Sequence, residues 1–202
     1  MQLLRTYIIG ILVLTHLTAC GQTYKEEMSN YRKQYIAALK AEQRQPIKPG
    51  DEKFIEFFEP DEQYKVTGTV KLSPGATPFL IPTHSGKQKP FVEYCTIEFK
   101  LKDTVLTLHA YQSMNPMQQG DNDELFIPFN DRTNYDYTYG GGRYLDIKKG
   151  EIKNDVVTLD FNKCYNPYCA YSDGFSCPIP PQENYLKISV FAGEKLFKAQ
   201  LY

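Results

Sequence analysis

Cys95-Thr96-Ile97-Glu98-Phe99-Lys100-Leu101, then Lys102-Asp103, then Thr104-Val105-Leu106-Thr107-Leu108-His109-Ala110-Tyr111, decides the fold class of this 202-residue chain. Cys95, Ile97, Phe99 and Leu101 alternate with Thr96, Glu98 and Lys100. A period of two places one set of side chains on each face of a half-buried strand. Leu106, Leu108 and Ala110 continue the pattern against Thr107, His109 and Tyr111. Two such runs joined by a two-residue polar turn read as a β-hairpin.

The same period extends outward. Val66, Gly68, Val70 and Leu72 alternate with Lys65, Thr67, Thr69 and Lys71. A second hairpin is expected over 143–161, turning between Gly150 and Asn154. A third is expected to close the chain: Leu186, Ile188 and Val190, a turn at Ala192-Gly193-Glu194-Lys195, then Phe197, Ala199 and Leu201. The polar or Pro/Gly-rich stretches 73–90 and 112–124 read as loops. Successive hairpins without intervening helices predict an antiparallel meander. The expected class is mainly all-β, a barrel-like or sandwich domain, because one apolar face must close on itself or be covered by a second layer. Short links favour the barrel-like form. Sixteen Tyr, twelve Phe, thirteen Gly and thirteen Pro agree with strands joined by turns.

One amphipathic helix is expected before the strands, over Tyr24 to Gln43. Tyr24, Met28, Tyr31, Tyr35 and Leu39 fall on one stripe, and Pro46 with Pro49-Gly50 ends it. Upstream, Arg5 and the apolar run Tyr7 to Leu14 have the layout of an export signal, and that run is too short to span a bilayer. Leu17-Thr18-Ala19-Cys20 resembles the lipobox of a bacterial lipoprotein. That resemblance implies cleavage before Cys20, acylation of its sulfur (a palmitate-type modification) and a membrane partner through the lipid. The expected organisation is a signal peptide over 1–19, anchor, helix and linker over 20–50, and one β-rich domain over 51–202. The expected location is the bacterial cell envelope, with Gly21 after the cysteine favouring the outer membrane.

Twenty-three basic and 24 acidic residues leave a net charge of −1 and no basic run, which excludes a nucleic-acid footprint. The glycine triplet 140–142 lacks the Lys-Ser/Thr pair of a phosphate loop and reads as a bulge entering a strand. Cys164, Cys169 and Cys177 lack zinc spacing, and His84 and His109 lie far from them, so no metal or cofactor is expected. Neither histidine has a neighbouring nucleophile in sequence, and each reads as a surface residue.

Unusual residues concentrate between Thr138 and Asn184: Gly141-Gly142-Arg143-Tyr144-Leu145-Asp146, Asp160-Phe161-Asn162, Tyr165-Asn166-Pro167-Tyr168-Cys169-Ala170-Tyr171-Ser172 and Cys177-Pro178-Ile179-Pro180-Pro181-Gln182-Glu183-Asn184. With Ala192-Gly193-Glu194-Lys195, these blocks resemble a bacterial family catalogued only as a domain of unknown function, number sixteen-eighty-four. The likeness spans most of the chain after the anchor and departs at Tyr168, where the family commonly carries a second proline. It implies no activity.

The residues themselves nominate Asp146, Asp160 and Glu183 as catalytic candidates. On a 143–161 hairpin, Asp146 and Asp160 would be diagonal neighbours about 7–8 Å apart at Cα, within range for shared acid/base work or solvated ion pairing. Arg143, Asn162, Asn166 and Asn184 are the ligand-binding candidates. Cys169 and Cys177 are the disulfide candidates, closing the long 162–184 loop, although four cysteines besides Cys20 allow three full pairings. Cys95 suits a buried free thiol, and Cys164 has no assigned place. The function expected is a binding or interaction module for an unknown small ligand or envelope protein. A carboxylate-dependent or metal-assisted hydrolase and a purely structural envelope protein are the alternatives.

Overall fold

In the computed structural model, residues 19–115 and 123–198 are described, with side chains from Thr23 onward. Helix α1 (Ala19–Ala41) precedes eight strands. These are β1 (Lys65–Leu72), β2 (Phe79–Pro82), β3 (Gln88–Leu101), β4 (Thr104–Ser113), β5 (Glu124–Asp131), β6 (Arg143–Lys148), β7 (Val156–Asp160) and β8 (Tyr185–Leu186). The sheet runs β6-β5-β4-β3-β1-β7, with β2 added beside β3 and β8 beside β5. All pairs are antiparallel except β5 with β8. The sheet curls into a half-barrel. Its end strands β6 and β7 stand far apart in sheet order, yet Leu145, Ile147 and Thr158 line one cleft between them.

The central hairpin forms where the alternation predicts it. Lys102 and Asp103 have φ of 48° and 63°, the two left-handed residues of a turn whose twist matches that of the strands it joins. Phe99 pairs with Leu106 and Ile97 with Leu108, and Cys95, Ile97, Phe99 and Leu101 are all buried. They meet Leu125, Ile127, Phe129, Leu145, Val157, Leu159 and Phe161 in the main core. At Gly68 a Cβ would stand 2.5 Å from Ile97 Cγ2, so this strand crossing needs a residue without a side chain.

One irregularity reshapes the strand. Between Glu93 and Cys95 the register slips by one residue against β4. Such a bulge inverts the parity upstream of it. Phe91 and Glu93 therefore share a face with their partners Ser113 and Tyr111, opposite to Cys95. Phe91 joins Ile81 and Tyr111 in a separate cluster on this second face, with Phe79 and Phe126 packed beside them.

Two expected hairpins do not form. β6 pairs with β5 (Leu125 opposite Ile147) and β7 with β1 (Val66 opposite Leu159), so the 143–161 segment crosses between the two ends of the sheet. The C-terminal segment contributes only β8 before leaving the sheet. There the buried Arg143 guanidinium takes the carbonyls of Val190, Ala192 and Glu194, which a strand ladder would otherwise have used. Ala199 and Leu201 lie outside the described residues. The stretch 73–90, expected as a loop, holds β2 and the start of β3. Leu72, expected to point inward, is exposed.

Helix α1 docks along its predicted stripe. Tyr24, Met28 and Leu39 are buried, and Tyr31 and Tyr35 are half-buried. Tyr24 donates to Asp160 Oδ1 (3.0 Å) and Tyr31 to the Lys163 carbonyl (3.2 Å). Leu39 packs with Ile47, Ile55, Tyr171 and Phe197 in a second core beneath the long loop. No helix among the described residues is long and apolar enough to cross a membrane.

Candidate functional site

The second face of the sheet carries a cavity of about 550 Å³. Its floor is built from register. Tyr111 sits opposite Phe126, and Phe126 opposite Asp146, so these side chains form one row across β4, β5 and β6. The bulge brings Phe91 onto this face, where it stacks on Phe126 with centroids 5.5 Å apart. Tyr144 meets Phe126 edge-on at 4.6 Å. The roof is the 165–178 segment, which supplies Tyr165, Tyr168, Phe175 and Pro178. Cys169 and Cys177 are joined as a disulfide across it, with Cα atoms 6.2 Å apart. Tyr144 and Tyr165 exchange both backbone hydrogen bonds, and the Tyr144 hydroxyl donates to the Pro178 carbonyl at 2.6 Å, fixing roof to floor.

Asp146 is the carboxylate among the sequence candidates that faces this cavity. Its Oδ2 accepts from the Tyr165 hydroxyl at 2.5 Å. Burial pushes its pKa up to about 7, with the Tyr165 bond opposing the rise and nearby Glu124 adding to it. At neutral pH the group is therefore divided between acid and carboxylate, able to donate or accept a proton. Burial drives the Tyr165 hydroxyl well above its ordinary range, so it stays protonated.

The other candidates are held elsewhere. Arg143 is fully buried and pairs with the equally buried Asp131 at 2.8 Å, as well as with the three carbonyls named above. It is a tie within the core and does not face the cavity. Asp160 Oδ1 accepts from Tyr24, from the Asn162 backbone and from Asn162 Nδ2, and Lys163 stands 3.8 Å from its other oxygen. Glu183 accepts from Tyr111 at 3.0 Å. Asp146 and Asp160 do line a second, smaller cleft together with Lys65, Glu151 and Lys163, although they are not diagonal neighbours on a hairpin; Glu183 lines neither cleft, so the three carboxylates do not converge. Among the described residues no group of acids, cysteines and histidines is placed to hold a metal ion.

The asparagines serve as backbone substitutes. Asn162 brackets Asp61, accepting from its N–H at 2.9 Å and donating to its carbonyl at 2.8 Å. Asn184 accepts from the His109 N–H and donates to the His109 and Pro128 carbonyls, joining β4 to β5 beside a proline that has no N–H to offer. Asn166 donates through Nδ2 to the Lys195 carbonyl and through its backbone to Glu194 Oε2. Glu194 is itself fully buried and also accepts from Tyr35 and Tyr171, with its pKa pushed up to about 6, chiefly by burial.

Several cavity residues carried no signal in sequence. Lys89 and Arg44 reach it from the start of β3 and from the turn after α1, and Phe91 and Glu124 reach it from β3 and β5. Tyr165 stands within a quoted motif, and only the fold sets it against Asp146. Of the histidines, His109 pairs through Nδ1 with Glu93 at 2.7 Å, and His84 packs against Tyr139. Cys95 and Cys164 are buried free thiols, and burial raises the pKa of each.

A family model described as Protein of unknown function (DUF1684) matches residues 53–195. Among solved structures, the chain is similar to an uncharacterised protein of Haloarcula marismortui determined by solution NMR. The two are 33% identical, with 85% of this chain and 97% of that one covered and a TM-score of 0.61. No curated protein matches the chain.

Proposed function

This chain belongs to the family of unknown function DUF1684, and from that premise we propose that it is a cell-envelope binding module. In this reading Cys20 carries a lipid that holds it to a membrane, and a small ligand enters the cavity under the disulfide-closed loop. The observation that carries the reading is the cavity itself: about 550 Å³, walled by aromatic rings on floor and roof, with Arg44, Lys89, Glu124 and the Asp146–Tyr165 pair among its polar contacts. A mostly apolar cleft with few convergent polar groups is the usual form of a small-molecule site. Support for the anchor comes from the lipobox-like Leu17-Thr18-Ala19-Cys20 that follows the apolar run Tyr7 to Leu14.

Nitrogen-15 NMR of residues 21–202 against a fragment library tests the cavity. Shifts are expected to cluster on β5, β6 and 165–178, and binders that perturb only other surfaces would refute the reading. Labelling the full chain in a bacterial host with an alkynyl palmitate analogue tests the anchor. The label and membrane fractionation are expected to vanish in Cys20→Ser, and label persisting there would refute acylation at this cysteine.

One observation favours an enzymatic alternative, the Asp146 carboxyl with a pKa of about 7 inside a cavity. Such a group is suited to general acid or base work at neutral pH. This alternative predicts turnover that Asp146→Asn abolishes while binding persists.

A further inference from the structure

The cavity has a charge arrangement that narrows its ligand. Lys89 and Arg44 both line it. Among the described residues neither forms an ion pair with a carboxylate. Arg44 instead lies over the Phe175 ring at 4.4 Å and donates weakly to the Gly174 carbonyl. Burial and the nearby Arg44 charge both pull the Lys89 pKa down. Glu124 and Asp146 line the same cleft from β5 and β6, but among the described residues neither is ion-paired with Lys89 or Arg44, so the cationic side of the cleft is left for an anion to meet.

Their placement relative to Asp146 is set by the sheet. Lys89 is two residues from Phe91, on the same face, whereas Asp146 lies three strands away on β6. Three strands at about 4.8 Å each, and four residues at about 3.3 Å each along β3 from Lys89 to Glu93 in the row of Asp146, separate the cationic side from the Asp146–Tyr165 side by about 20 Å at the backbone, a gap that the long Lys89 and Arg44 side chains narrow. Between them stand the floor rings Phe91, Phe126 and Tyr144, faced by Tyr168 and Phe175. Aromatic faces and edges favour flat aromatic guests over flexible alkyl chains.

Building on the binding reading above, we propose that the cavity takes a small aromatic compound bearing one anionic group, with the anion held between Lys89 and Arg44. The ring lies over the Phe91–Phe126 stack. A hydroxyl or carbonyl at the far end of the compound is met by the Asp146–Tyr165 pair.

Three size-matched probes test this assignment: 2-naphthoate, 2-naphthamide and 2-naphthylmethylamine. The chain has no Trp, so naphthalene fluorescence anisotropy is read without indole background. Naphthoate is expected to bind at least tenfold more tightly than the amide, and the amine least. Lys89→Gln with Arg44→Gln is expected to remove that preference, bringing naphthoate and amide to the same affinity. Lys89→Glu is expected to invert the order toward the amine. Thermal unfolding of each variant is followed in parallel, and the probe-dependent inversion separates a charge effect from misfolding.

Equal binding of naphthoate and amide, or a wild-type preference for the amine, would overturn the anionic assignment and leave the binding reading standing. Octanoate displacing naphthoate as well as benzoate does would overturn the aromatic half. Binding of none of the probes, with no shifts on β5, β6 or 165–178 in the fragment screen, would overturn both readings together.

Discussion

Asp146 makes the stability of this protein depend on pH in a direction opposite to that of most carboxylates. An aspartate titrates at about 3.9 in an unfolded chain. Here burial carries it to about 7. Between those values the native state binds a proton that the unfolded state has released, so stability falls as pH rises through the window and levels off above it. A difference of three pH units corresponds to about 4 kcal/mol, or about 2 kcal/mol once water entering the half-open cavity screens the charge. Asp146→Asn removes the titration and keeps an oxygen for the Tyr165 hydroxyl. Urea unfolding followed by circular dichroism at pH 4.5, 6 and 8 is the assay. The variant is expected to match the wild type at pH 4.5 and to exceed it by about 2–4 kcal/mol at pH 8. Glu194, raised to about 6, leaves a smaller slope of the same sign in the variant. A constant offset between the two proteins at every pH would refute the reasoning.

Other perturbations test the scaffold. Arg143→Met leaves Asp131 charged and fully buried, and a loss of about 3–5 kcal/mol is expected in urea midpoints; a loss below about 1 kcal/mol would show that the pair is not what closes the core. Cys169→Ser opens the bridge over a separation of eight residues. A loss of about 2–3 kcal/mol is expected from loop entropy, and amide exchange should accelerate over 165–178 while the β3–β4 hairpin stays protected. Gly142→Ala places a Cβ 2.5 Å from Pro180 Cγ and 2.8 Å from the Phe129 carbonyl at φ +87°, whereas Gly86→Ala at φ +78° meets nothing within 4 Å. The first is expected to lose several kcal/mol and the second about 1 kcal/mol, and equal losses would show that backbone conformation alone is felt.

The central hairpin was readable because all its information is local: strict alternation on both sides of Lys102-Asp103, whose backbone takes the left-handed turn that a two-residue link demands. Alternation also placed Asp146 on the face away from Leu145 and Ile147, and that face is the cavity floor. What alternation cannot supply is the identity of the neighbouring strand. β6 and β7 follow one another in the chain with a short polar link, yet each pairs with an earlier strand. The slip between Glu93 and Cys95 was equally silent, since a bulge alters parity without requiring an unusual residue, and Phe91 and Lys89 reach the cavity because of it. The C-terminal run 186–190 has the composition of a strand, but its carbonyls satisfy a buried guanidinium located some fifty residues earlier. The asparagines, named as ligand-binding candidates, stand at strand ends and in the proline-rich connection, and the partners their amides find there are chiefly main-chain atoms.

Glu194 and the carbonyls around it tie distant parts of the sequence into one closure. Residues 190–195 answer the charge of Arg143 on the sheet and collect the hydroxyls of Tyr35 on the helix and Tyr171 in the long loop. Until this segment docks, the interior holds a cation without a full set of acceptors and two tyrosines without their carboxylate. A single strip of irregular backbone thus makes helix, sheet and loop interdependent, so that loosening any one of them loosens the others.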